Sequence, residues 1–401
     1  MSRLPLLVLL SLALAACSPA AGGAPGTAAV PDVAQAAPDA AVTPPDIIEL
    51  AADLADTAPD VPGKLSDVAP LVDAVPPKPD AIVAKDAPPP APDVPVSTGI
   101  RDWTQYPAVA QAEAPTDLWV LGDVHGDVDR LAALLAAAGV AQIPADATQA
   151  KWQAGPATLV ALGDLIDKGT QGLAVLAAVQ ALQAQAPAQG GAVRVLMGNH
   201  EAEFLAHPEE TKVSEFATEL TQAGLDPVAV AAGKTPLGQW LRNLPMGLRL
   251  GTWFFCHAGD TQGLTLAQLE TTVEQDVEAQ GFAAPVLIDP ASLLEARLDP
   301  PWWEASGADP QKTLADRAAA LGVQHLVQGH QPGKVAFADG TTRKAGHLFQ
   351  KYGSIFLVDA GMSQAVDDSP GALLHIHHDA TGDQAYVVKP DGTSKRVWSG
   401  P

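Results

Sequence analysis

Five times along this chain an apolar run breaks into a polar turn that carries glycine, and these breaks constrain the fold more than any other feature. Leu118–Leu121 runs into Gly122-Asp123-Val124-His125-Gly126-Asp127, and Ala157–Leu162 into Gly163-Asp164-Leu165-Ile166-Asp167-Lys168-Gly169. Val193–Met197 runs into Gly198-Asn199-His200-Glu201, Thr252–Cys256 into His257-Ala258-Gly259-Asp260, and His325–Gln328 into Gly329-His330. Short apolar runs bounded by glycine or proline read as buried strands. Past the first turn, Leu131, Leu134 and Leu135 recur at helical spacing in an alanine-rich stretch, so a helix follows. The expected class is α/β. Its strands deliver Asp, His, Asp, Asn, His and His to the carboxyl edge, where open α/β sheets hold their ligands.

The remaining organisation follows from where aromatic residues are missing. Residues 18–100 are dominated by Ala, Pro, Asp and Val and contain no aromatic residue. Such a segment cannot bury enough apolar surface to offset chain entropy and is expected to stay extended, a disordered tether. Every Trp, Phe and Tyr lies at or after Trp103, which places one domain over 101–401. Before the tether, Arg3 precedes the apolar stretch Leu4–Leu14 and then Leu14-Ala15-Ala16-Cys17. A bilayer span takes about 20 residues. The stretch therefore reads as a signal peptide, residues 1–17, ending at small residues. Leu-Ala-Ala-Cys resembles a bacterial lipobox, with Cys17 the acylated residue. That implies export and a lipid anchor in the bacterial cell envelope, with Ser18 pointing to the outer membrane. The other cysteine, Cys256, reads as a small core hydrophobe. A net charge of −23 without a basic run excludes a nucleic-acid partner, whose affinity rests on phosphate neutralisation.

Elsewhere the pattern is coarser. Arg101–Pro115 reads as an entry segment and 141–155 as a loop. Helical spacing covers Gly172–Gln185, Thr211–Ala223, Leu237–Leu244 up to Pro245, and Thr313–Leu321. Between Gly263 and Pro310 only the aromatic group Pro300-Pro301-Trp302-Trp303 stands out. Ser354–Asp359 reads as a strand, and alternation near Leu373–His378 and Tyr386–Val388 predicts a terminal antiparallel meander. His375, His377 and His378 fall in that alternation, which predicts surface or edge placement. His325 and His347 are read as structural.

Carboxylate, amide oxygen and imidazole are the ligands of hard and borderline divalent cations. Asp164 is best placed to bridge two of them. Asp123 and His125 would complete one metal with Asp164; Asn199, His257 and His330 would complete the other. Two cations about 3.5–4 Å apart clamp a phosphoryl group and lower the pKa of a bridging water. The hydroxide so formed makes a Ser or Cys nucleophile unnecessary. His200, next to a ligand Asn, is the natural general acid, with Asp167 to orient and charge it. Lys168 and Arg242 are the first choices for binding phosphate oxygens, Lys344 and Lys351 the second.

In this order, Gly-Asp-x-His-Gly, Gly-Asp-x-x-Asp-x-Gly, Gly-Asn-His-Glu, His-Ala-Gly and Gly-His resemble the calcineurin-like metallophosphoesterases, nearest their phosphoprotein-phosphatase branch. Leu244-Pro245 and Asp359-Ala360-Gly361-Met362-Ser363 resemble the bacterial Shewanella-like phosphatases within it. The resemblance spans Leu118–Ser363 and none of the tether. It implies a two-sheet β-sandwich flanked by helices, a dinuclear centre of Mn, Fe or Zn, and hydrolysis of phosphomonoesters, whether phosphopeptides or small molecules. It implies the same metal roles for the six positions and acid catalysis by His200 with Asp167. Two departures stand out. Lys168 takes the place of an Arg, a point charge in place of a bidentate fork. Gln331-Pro332 leaves no second His after His330. Two other readings stand beside this one: a dinucleoside polyphosphate or nucleotide hydrolase using the same centre, and a non-catalytic envelope lipoprotein that binds a phosphorylated ligand.

Overall fold

The apolar runs become strands divided between two sheets. The computed structural model describes residues 100–304, 307 and 309–400. The expectations for the signal peptide, for Cys17 and for the tether up to residue 99 lie outside the described residues. In chain order the principal strands are β1 (Val109–Ala112), β2 (Asp117–Leu121), β3 (Thr158–Ala161), β4 (Ala192–Val195), β5 (Gly247–Leu250) and β6 (Trp253–Cys256). They continue as β7 (His325–Gln328), β8 (Phe349–Lys351), β9 (Ile355–Leu357), β10 (Leu373–Asp379), β11 (Gly382–Val388) and β12 (Ser394–Gly400). One six-stranded sheet has the order β1-β5-β6-β7-β9-β8, the other β12-β11-β10-β2-β3-β4.

Alternation along each strand sends one set of side chains between the sheets and the other under helices. Leu118, Val120, Val160, Leu374 and Ile376 of one sheet meet Leu248, Phe255, Val327 and Phe356 of the other in a continuous apolar layer. On the outer faces, Leu121, Leu159 and Phe254 share a second core with helical residues such as Leu131, Leu134, Val175 and Val179. Strands covered on both faces need apolar residues throughout, and β3, β6 and β7 are buried at every position. This is the expected helix-flanked double sheet.

The helix over Gly172–Gln185 matches its expected bounds; the others start or stop within a few residues of them. The entry segment contains an unforeseen strand, β1, paired in parallel with β5. The unreadable region after Gly263 holds the helix Leu266–Gln280. The C-terminal meander forms, but β10 is no edge strand, since it pairs with β2 and β11. Parallel pairing of β2 with β3 and β3 with β4, and of β6 with β7, points five polar turns to one rim. No helix among the described residues is long and apolar enough to cross a membrane.

Candidate metal centre

At the rim, the turns hold one another before they hold anything else. The backbone N–H groups of Val124 and His125 both donate to the carbonyl of Asp164, and Gly126 N donates to Leu165. Gly163 and Gly198 face each other so closely that a β-carbon on either would run into the other turn's backbone. Glu201, fully buried, accepts from the N–H groups of Gly198, Asp164 and Leu165, each at 2.8 Å. One carboxylate at the start of the helix Asn199–Ala206 thus fixes both turns. Gly-Asn-His-Glu is a visible motif, but this bracing use of its Glu was not foreseen. His125, Asp164, Asp167, Lys168 and His330 all take positive φ, between 45° and 70°.

The ligand-type side chains converge. Asp164 Oδ2 lies 3.6 Å from His125 Nε2 and 3.3 Å from His257 Nε2, between donors from both sheets. Asp123 Oδ2 is 3.9 Å from His125 Nε2. Asn199 Oδ1, His257 Nε2 and His330 Nδ1 form a triangle with sides of 3.0, 3.1 and 3.1 Å. Each of the six residues is buried except His330, which is nearly so. Backbone carbonyls set the imidazole tautomers. His125 Nδ1 lies 3.2 Å from the Ile166 carbonyl and His257 Nδ1 3.0 Å from that of Leu162. A carbonyl only accepts, so each Nδ1 carries a proton and leaves Nε2 as the atom that faces the carboxylates.

Carboxylates and ring nitrogens buried this deeply together call for positive charge among them, from a proton or a metal ion. Asp123 Oδ2 is buried and, among the described residues, has no hydrogen-bond partner. Burial and the nearby Asp359 and Asp164 push the Asp123 carboxyl well up, and burial lifts Asp359 to about 6. Burial opposes charge on His257, yet Asp164 and Asp123 outweigh it and raise that group to about 10. Burial lowers His125 to about 4 and His330 to about 2, which leaves both neutral, the state in which imidazole ligates. Two candidate ligand groups result, one with His125, Asp164 and His200, the other with Asp164, His257 and His330. The donor set fits two divalent cations that share Asp164, and the triangle has the spacing of ligands on a single ion.

Beside this cluster His200 stands edge-on to His125, ring centroids 5.0 Å apart, with Nδ1 3.2 Å from Asp167 Oδ2. Burial disfavours its charge, but Asp164 and the hydrogen bond to Asp167 prevail and raise its pKa. Asp167, with no exposed surface, is itself pinned by Phe216 N at 3.0 Å on Oδ1. Lys168 is exposed in the same turn, close enough for its charge to oppose protonation of His200.

Arg242 requires a correction. Its guanidinium donates to the carbonyls of Ala231 and Ile100, both at 3.1 Å, and lies over the Phe282 ring. These contacts staple the entry segment to a helix end, and the structure does not bring Arg242 to the cluster. Lys351 is likewise buried, held by Asp339 at 3.0 Å and Glu304 at 3.5 Å over the Phe337 ring. Arg297, not foreseen, lies near enough to oppose protonation of His330 and donates to Glu295 Oε2 at 2.9 Å. Ser363 Oγ donates to the carbonyl of His125 at 3.1 Å, and Gln364 N to Asp127 Oδ2 at 3.1 Å. The late Asp-Ala-Gly-Met-Ser segment is thereby tied to the first motif.

The family model for calcineurin-like phosphoesterases matches residues 116–334. Among curated proteins the chain is similar to Shewanella-like protein phosphatase 2 of Arabidopsis thaliana, 26% identical over 34% of this chain and 32% of that one. It is also similar to the symmetrical bis(5'-nucleosyl)-tetraphosphatase of Vibrio cholerae, 30% identical over 40% of this chain and 51% of that one. The chain spans between about a quarter and a half of the length of the curated relatives it matches first. Among solved structures, the cold-active protein-tyrosine phosphatase of a psychrophilic Shewanella species aligns with a TM-score of 0.56. That alignment has 22% identity and covers 78% of this chain and 89% of that one. At that identity the likeness speaks for the fold.

Proposed function

The chain belongs to the calcineurin-like phosphoesterase family, and from that premise we propose that it is a metal-dependent phosphatase acting on phosphomonoesters, phosphorylated Ser, Thr or Tyr in proteins among them. The observation that carries the reading is Asp164 Oδ2, within 3.6 Å of His125 and 3.3 Å of His257. Asp123, His125 and Asp164 would hold one Mn, Fe or Zn ion, and Asp164, Asn199, His257 and His330 the other. Two such ions supply an activated water and neutralise phosphoryl charge. His200 donates a proton to the leaving oxygen. Asp167 favours its protonated form and fixes the ring's orientation through Nδ1. Lys168 and Arg297 bring positive charge to the substrate's remaining oxygens, in the place first given to Arg242.

The test is hydrolysis of p-nitrophenyl phosphate by purified protein, with metal content measured before and after chelation. Activity lost to chelator and restored by Mn, Fe or Zn is expected; two bound metals without turnover would favour a phospho-ligand-binding role instead. A second reading, hydrolysis of dinucleoside polyphosphates, draws on the tetraphosphatase relatives. Turnover of diadenosine tetraphosphate with none of phosphopeptides would establish it. For location, we propose export and lipid anchoring through Cys17. Release of the protein from membranes by Cys17→Ala is the expected result.

A further inference from the structure

A second group of metal-ligand type lies at the other end of β2. Asp117 opens that strand, and the antiparallel register with β10 sets His377 opposite Asp117 and His375 opposite Trp119. Residues two apart on a strand share a face, so all four side chains crowd together. Asp117 Oδ1 is 2.9 Å from His375 Nε2 and 2.9 Å from His377 Nδ1. One ligand atom from each residue lies within 4.8 Å of the others. The His375 ring is stacked on Trp119, centroids 4.0 Å apart and planes 8° off parallel, which locks its orientation. From Asp117 to Asp123 an extended chain runs about 20 Å, so this group shares no donor with the rim.

We infer that Asp117, His375 and His377 form a separate site for one borderline divalent cation of the Zn(II), Ni(II) or Cu(II) class. Two imidazoles and a carboxylate suit those ions, whereas Mg(II) and Ca(II) prefer oxygen alone. Two of the three groups, Asp117 and His375, are pushed toward the charge states that ligation needs. Burial works against charge on Asp117, but hydrogen bonds from His377 and His375 outweigh it and keep the carboxyl below its ordinary range. Burial likewise keeps His375 neutral. On binding, the ring nitrogens that face Asp117 give up their protons and turn the freed lone pairs to the ion, while each ring keeps one proton on its other nitrogen. Ligand atoms on a tetrahedral zinc sit about 3.3 Å apart, so each carboxylate–imidazole pair, now at 2.9 Å, opens by only a few tenths of an ångström. A groove of about 330 Å³ bordered by Asp117, Trp119, Pro156 and His375 leaves room for waters to complete the shell. The Asp117 and His377 side chains are 41% and 35% exposed, which gives the ion a way in. None of these residues belongs to the rim, so the site stands whether or not the proposed activity does.

The decisive experiment uses the unaltered chain and zinc alone. Histidine is modified with diethyl pyrocarbonate, with and without Zn(II), and the peptide carrying residues 375–378 is read by mass spectrometry. With zinc well above its Kd the free fraction falls about tenfold or more, and modification of His375 and His377 slows accordingly. His378, 56% exposed and paired with Asp383, serves as the unprotected internal reference. Equilibrium dialysis should then show one zinc fewer per chain in the His375→Gln/His377→Gln variant, with phosphatase activity unchanged. Equal modification with and without zinc, or equal zinc content in both proteins, overturns the site.

Discussion

Strand β2 carries a carboxylate–imidazole cluster at each end, and the two differ in the water around them. At the rim, Asp123, Asp164 and His257 are 3%, 2% and 0% exposed. Asp123 Oδ2 finds no partner there among the described residues. At the far end the same residue types stand half in solvent and satisfy each other through Asp117 Oδ1. Desolvation makes the difference. Where water cannot screen or hydrogen-bond, converging lone pairs are costly until a cation joins them. Where water can, the groups rest as ordinary hydrogen bonds and a cation is optional.

The contrast can be broken hardest at Asp164. Asp164→Ala removes the one oxygen placed between both halves, and metal at both positions and all turnover are expected to vanish, as read by metal analysis and p-nitrophenyl phosphate assay. Retention of both metals would mean that the rim does not need its bridge. His200→Asn comes next. Loss of a general acid costs about 10²–10⁴-fold in kcat, with metal content intact. Substrates whose leaving group needs no proton should lose far less, which separates acid catalysis from misfolding. Asp167→Asn, one shell out, is expected to cost about 10–100-fold in activity. Lys168→Arg is a finer probe: a fork in place of a point charge should lower KM a few-fold with kcat little changed, measured by steady-state kinetics. The smallest effect belongs to the wet end of β2, where His375→Gln/His377→Gln should leave phosphatase activity unchanged. A large loss there would show that the two ends are coupled.

Much of the rim was legible because its chemistry is local in sequence. Each candidate ligand follows an apolar run and sits beside or near a glycine, so the pattern of residues alone picked out Asp123, Asp164, Asn199, His257 and His330, which the fold brings together. The residues that escaped act across the fold. Asp359 matters because it is buried beside Asp123, 236 residues earlier. Arg297 lies in a region with no helical or strand period, and Glu201 braces backbone N–H groups that no pattern reveals. Arg242 misled for the opposite reason, since a guanidinium that binds backbone carbonyls looks, in sequence, like one that binds phosphate. Trp302 and Trp303 stand out in sequence only as an aromatic group, with nothing to tell one from the other. Trp303 proves fully buried and Trp302 only partly.

The left-handed backbone at His125, Asp164, Asp167, Lys168 and His330 has a consequence for how such a protein can change. A side chain in that conformation gives up about 1–2 kcal/mol relative to glycine, and five such positions lie within one small patch. Selection for heat resistance alone would therefore erode this patch first, trading each reactive group for a more comfortable glycine. Replacing these residues by glycine is therefore expected to raise stability while removing the rim's polar groups, a trade of function for folding energy.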